Sequence, residues 1–105
     1  MNRITDILAK NMKSYRLALG FTQAYLAEKI DTSTNYIGLI EKRKRFPSPE
    51  MIERIAAALG IEPKELFNTD KKMPEAIKAY RKAVIKDIKS QIVRILDDKL
   101  TDLDK

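Results

Sequence analysis

The stretch STNYIGLIEKRKR, residues 33–45, holds the side chains best suited to chemistry in this chain. Ser33, Thr34 and Asn35 donate and accept hydrogen bonds, and all three are poor helix-interior residues. On a helix they would share an outer face with Gly38, Leu39 and Lys42. Lys42, Arg43, Lys44 and Arg45 then place four cations in succession. Short polar groups on a helix can read base edges in a major groove, and cations neutralise phosphates. In isolation the same residues would be a plain N-cap cluster and a cation-rich helix end. Covalent chemistry has little to work with. The chain contains no His and no Cys, so the commonest general base and thiolate nucleophiles are missing. The 15 carboxylates are scattered over helix starts and polar faces and suggest no acid/base couple. No catalytic residue, metal site or cofactor is expected.

The elements that must hold this segment are legible from periodicity. Ile4, Leu8, Met12, Tyr15 and Leu19 form one face of a first helix, with Gly20 as its terminator. Thr22 is a candidate N-cap for a short helix over about Gln23–Ile30, with Leu26, Ala27 and Ile30 inward. After a break at Asp31–Ser33, Ser33 (or Thr32) would cap a helix over about Thr34–Lys42 that turns Ile37 and Ile40 inward. Asp31 stands where a tight turn favours Gly; Asp tolerates the left-handed conformation better than most residues. It is expected to face away from the polar surface. Pro47 stops that helix, Ser48 and Pro49 start the next, and Gly60 ends it. Ile52, Ile55, Ala56 and Leu59 mark its inner face. Pro63 opens a short fifth helix carrying Leu66 and Phe67.

A polar linker, NTDKKM, precedes a last helix from Pro74 to about Asp102, about 42 Å long. Tyr80, Val84, Ile88, Ile92, Leu96 and Leu100 recur at intervals of four, widened by Ile77, Ile85, Ile95 and Leu103. Such a stripe needs a cover. Its four-residue step departs from the 3.5-residue coiled-coil period, so a broad antiparallel or crossed interface is expected in place of a zipper. The expected division is residues 1–69 as one domain and 70–105 as linker and self-association helix.

Composition agrees with an all-α protein. Apolar residues make up 44% of 105, with only three Gly and four Pro. The net charge of +6 suits an anionic partner. Residues 71–89 alone carry seven basic and two acidic side chains, enough to add backbone contacts. The N-terminus has charges at Arg3, Asp6, Lys10 and Lys13 and no long apolar run, so neither a signal peptide nor a membrane span is expected, and a cytoplasmic location is the default.

Residues 10–67 resemble the lambda-repressor/Cro-like (XRE) family of helix-turn-helix domains. The resemblance rests on Arg16, Gln23, Leu26-Ala27, Ser33, Ile37, Ile40-Glu41, Pro47 and the later IAAALGIEPKELF. It implies a five-helix DNA-binding domain, here followed by a long C-terminal helix. It implies that Gln23 and Ser33 touch phosphates, that Thr34 and Asn35 read bases, and that Tyr36 and the Lys42–Arg45 loop follow the backbone. Gly38 and Leu39 would lie close to DNA. Arg16 and Glu41 match the family's helix-bracing ion pair. The implied protein is a homodimeric regulator of transcription, most simply a repressor of double-stranded DNA targets. Two other readings keep the same residues. The long helix would grip a toxin in an antitoxin-type DNA-binding protein, or would be a helix-in-groove ligand in an interaction module without DNA binding.

Overall fold

The computed structural model describes residues 2–70 and 72–103. Five α-helices and one 3₁₀ helix follow in order: α1 Arg3–Ala18, α2 Gln23–Lys29, α3 Thr34–Glu41, α4 Pro49–Leu59, the 3₁₀ helix Pro63–Phe67, and α5 Glu75–Leu103. Among the described residues there is no strand, and no helix is long and apolar enough to cross a membrane.

Each of the first four helices begins on a side-chain cap. Asn2 Oδ1 accepts from Thr5 N at 2.9 Å, Thr22 Oγ1 from Tyr25 N at 3.0 Å, Ser33 Oγ from Tyr36 N at 3.1 Å, and Ser48 Oγ from Met51 N at 3.2 Å. These bonds satisfy N–H groups that the helix cannot. The same four helices close in one way, with paired bonds back into the last turn. Phe21 N donates to Arg16 O, Thr32 N to Ala27 O, Lys44 N to Leu39 O and Ile61 N to Ala56 O, all at 2.9–3.0 Å. This closure requires a left-handed residue just past the helix. Gly20 and Gly60 supply it at φ +75° and +71°, and Asp31 and Arg43 do so at +57° and +66°. Arg43, placed by sequence among the DNA-facing cations, therefore also forms the turn that ends α3.

The core gathers Leu8, Met12 and Tyr15 from α1, Leu26, Ala27 and Ile30 around α2, Ile37 and Ile40 from α3, Ile55, Ala56 and Leu59 from α4, and Leu66. Pro47 is also buried. Three expectations from periodicity are corrected. Ile4 is 52% exposed, because it lies in the first turn of α1, one turn before the packing that buries Leu8. The fifth helix is a five-residue 3₁₀ turn, too short for an α-helical ladder and without a side-chain cap at Glu62. Ile77 does not belong to the outer stripe. It is 1% exposed and completes the core, so the first turns of α5 pack on the domain. Beyond them the stripe is open: Val84, Ile88, Ile92, Leu96 and Leu100 are 38–58% exposed. The side chain of Leu103 lies outside the described residues.

Polar groups on α1 fix the 3₁₀ helix. Asn11 Nδ2 donates to Leu66 O at 3.0 Å and Asn68 O at 2.8 Å, and Tyr15 Oη donates to Glu65 O at 3.0 Å. These bonds satisfy carbonyls at the end of a turn that has no continuing helix. Burial first, and the Glu65 carboxylate second, raise the Tyr15 pKa above its ordinary 10.0. A raised folded-state pKa means that the unfolded tyrosine ionises first. The stability contributed by the neutral phenol is complete below about pH 10 and is lost as pH rises through the folded value. Urea unfolding between pH 8 and 11 should show this extra decline in the native chain and lose it in Tyr15→Phe. At neutral pH that variant should be about 1 kcal/mol less stable.

Candidate nucleic-acid interface

The α2–α3 corner is held from beneath by Ala27, Ile37 and Ile40, which are 2%, 0% and 1% exposed. Ala27 is small enough for the two helices to cross closely over it. With Ile37 and Ile40 turned inward, the opposite face of α3 must point out. Ser33, Thr34 and Asn35 are exposed there, and Tyr36, Gly38 and Leu39 are half-buried. Ser33 Oγ accepts from Tyr36 N, which leaves its hydroxyl proton to donate outward. The first N–H groups of α3 point the same way at the positive end of the helix.

Behind this face lies a buried ion pair. Arg16 Nε donates to Glu41 Oε2 at 2.8 Å and Arg16 Nη2 to Glu41 Oε1 at 3.0 Å, and the two side chains are 7% and 4% exposed. Arg16 Nη1 donates to Phe21 O at 2.8 Å, and Gln23 Nε2 donates to Glu41 Oε1 at 3.1 Å. Four partners thus join α1, the α1–α2 turn, the start of α2 and the end of α3. Gln23, expected on a phosphate, has one amide hydrogen committed to Glu41 and lies across Gly38. A Cβ built on Gly38 would sit 3.9 Å from Gln23 Oε1, which is ordinary contact.

The four cations after α3 do not act alike. Arg43 Nε pairs with Asp6 Oδ1 at 2.9 Å, with both side chains about half exposed. The left-handed turn at Arg43 sends it back toward α1. The Arg45 guanidinium lies 5.3 Å from the centre of the Tyr36 ring, so the two side chains brace each other. Lys42 and Lys44 are exposed and make no ion pair among the described residues. The Tyr25 ring centre lies 4.7 Å from that of Phe21, and Lys29 Nζ lies 5.3 Å from the Tyr25 ring centre. Asp31 borders a shallow depression with Arg54 and Ala57 of α4.

The arrangement offers a polar helix face, Ser33 to Asn35, beside the exposed cations Lys42 and Lys44. Comparison with known proteins agrees with this geometry. The family described as Helix-turn-helix matches residues 12–66. The chain is 30% identical over 91 residues to the immunity repressor protein of Bacillus phage phi105, covering 87% of this chain and 63% of that protein. It thus spans less than two thirds of that relative's length. It is 34% identical over 68 residues to the control protein C.BamHI of Bacillus amyloliquefaciens, covering 64% of this chain and 84% of the relative. The crystal structure of the restriction-modification controller protein C.AhdI from Aeromonas hydrophila superposes with a TM-score of 0.58 at 33% identity, over 60% of this chain and 96% of that one.

The ion pair makes a sharp prediction for stability. Removing one partner leaves the other charge buried and unpaired, so Arg16→Met or Glu41→Leu alone should cost about 3–5 kcal/mol. Combining the two should recover most of that loss. Chemical unfolding of the three variants checks this; equal losses in single and double variants would contradict it.

Proposed function

Since the chain belongs to the helix-turn-helix family of DNA-binding transcription regulators, we propose that it is a homodimeric, sequence-specific repressor. It inserts α3 into successive major grooves, about one helical turn apart. The observation that carries this reading is the first turn of α3, where Ser33, Thr34 and Asn35 stand exposed while Ile37 and Ile40 anchor the helix from behind. Asn35 suits bidentate bonding to adenine, and Thr34 offers a hydroxyl and a methyl to base edges. Leu39 would lie against a thymine methyl, and Gly38 would permit close approach. Ser33, the remaining amide capacity of Gln23, and Tyr36 would touch the backbone. Lys42, Lys44 and Arg45 would neutralise phosphates, with Arg43 joining them if DNA displaces Asp6. The named repressor among the relatives supports repression as the outcome, since a dimer seated on a promoter blocks it without further machinery. Residues 1–69 would bind DNA and residues 70–105 would join two copies through the exposed face of α5.

Selection of bound duplexes from a random pool tests the reading. A palindromic site should be enriched. Asn35→Ala should lose about 1–3 kcal/mol of discrimination at one position per half-site and leave the others intact. Lys42→Ala and Lys44→Ala should each weaken binding to all sequences alike. Together with Arg45 they should account for about −3 in the log–log salt slope per subunit. If no site is enriched, sequence-specific recognition by this chain alone is wrong.

Gly38 provides a second check that separates fold from function. Alanine fits the free protein there and favours the helix, so Gly38→Ala should raise stability by about 0.5–1 kcal/mol. With α3 in the groove the added methyl faces DNA, so the same variant should bind its site more weakly.

A further inference from the structure

We propose that α5 pairs with α5 of a second copy as an antiparallel coiled coil centred on Ser90. This rests on the homodimer reading above and adds the orientation and register of the partner. The row of four-residue steps, Tyr80 to Leu100, cannot form one straight seam. At 100° per residue each step advances about 40° around the helix, so the ends of the row face nearly opposite ways. Tyr80 already has a partner, the Phe21 ring of its own domain at 6.4 Å. Four other residues do hold one line. Ile85, Ile88, Ile92 and Ile95 are spaced three, four and three apart, the a/d pattern of two heptads. Each is 44–58% exposed, and nothing in the domain covers them.

The occupant of that seam follows from charge and from side-chain shape. Residues 75–89 of α5 carry five basic and two acidic groups, and residues 96–103 carry three acidic and one basic. A parallel pair would set Lys78, Arg81 and Lys99, all on the seam line, against their own copies. An antiparallel pair sets the basic end of one helix beside the acidic end of the other. With the two-fold axis at Ser90, Ile85 meets Ile95 and Ile88 meets Ile92, so all four layers are filled and every a position faces a d position. Lys82 and Asp98 of the second copy are level but on opposite flanks of the seam, and Lys89 lies near its own copy beside the axis, so the charge match is one of helix ends and not of single pairs. Arg81 and Lys99 remain a like-charged layer at each end; Lys86 and Arg94 are also level but on the outer face. Isoleucine at d disfavours parallel two-stranded coils, which further separates the two orientations.

This pairing places the two DNA-binding domains at opposite ends of the coil. Ile77 of one copy and Ile77 of the other would lie about 39 Å apart along the axis, 26 residues at 1.5 Å each. That is the scale of one turn of B-DNA, about 34 Å.

The chain has no cysteine, which makes a disulfide test clean. Ile85→Cys and Ile95→Cys full-length chains, one carrying a mass tag, are mixed in a thiol redox buffer after the mass of the native chain has been measured by sedimentation. The expected result is a native dimer and a disulfide joining the Ile85→Cys chain to the Ile95→Cys chain. Links within either variant should be absent, since those positions would be about 15 Å from their own copies, beyond disulfide reach. Links within each variant and none between them would mean a parallel pair and overturn this proposal while leaving the homodimer intact. A native dimer with neither link would place the interface elsewhere and also overturn it. A native monomer would overturn this proposal and the homodimer together, and would leave the α5 face to a different protein. A native trimer or tetramer would overturn the two-stranded coil.

Discussion

The geometry of the exposed helix depends on two charges that are almost wholly withdrawn from water. Arg16 of α1 and Glu41 at the end of α3 stand 25 residues apart in sequence and meet behind α3 in a two-pronged pair. Burying either ion alone is costly, and the pair is tolerable because every strong direction is used. Glu41 takes both prongs of the guanidinium and the Gln23 amide, while the third guanidinium nitrogen finds the Phe21 carbonyl. A lysine could not reproduce this fork. An apolar contact in the same place would resist sliding weakly, whereas this pair permits one orientation of α3 against α1. The helix can therefore present its outer residues in a fixed direction although it is only eight residues long.

Helices of seven and eight residues are unstable alone. What stabilises α2 and α3 is the repetition of one solution at their ends. A hydroxyl caps each start, and a left-handed residue closes each finish. Where glycine fills the left-handed position the conformation is easily reached; at Asp31 and Arg43 it opposes the Cβ. At Arg43 the strained turn has a visible result, since it aims the guanidinium at Asp6 and away from the path of its neighbours. Both helix breaks that flank α3 thus combine backbone strain with a charged side chain.

Much of the fold was legible because its devices are local. The caps at Thr22, Ser33 and Ser48, the stops at Gly20 and Gly60, and the inward Leu26, Ile37 and Ile40 follow from neighbours three or four residues away. The outward face of α3 follows from the same periodicity. What escaped the sequence depends on distant partners. Asn11 reads as a polar helix residue until the carbonyls of residues 66 and 68 are placed beside it. Gln23 has the composition of a surface contact, and only the arrival of Glu41 commits its amide. Ile77 belongs to the α5 stripe by spacing and to the core by packing, because a period cannot say where a neighbouring domain ends.

The burial of Ile77 and the edge-on contact of Tyr80 with Phe21 have a mechanical meaning. They clamp the root of α5 to the domain, and from there the helix runs without Gly or Pro. It is a shaft keyed to its hub. The azimuth of the isoleucine seam is therefore fixed relative to α3, and it can be changed only by changing the length of the shaft. One inserted residue between Tyr80 and Ile85 would turn the seam by about 100° with respect to the outward face of α3, and seven would bring it back nearly into phase. In this architecture the length of α5 is a torsional setting as well as a spacer.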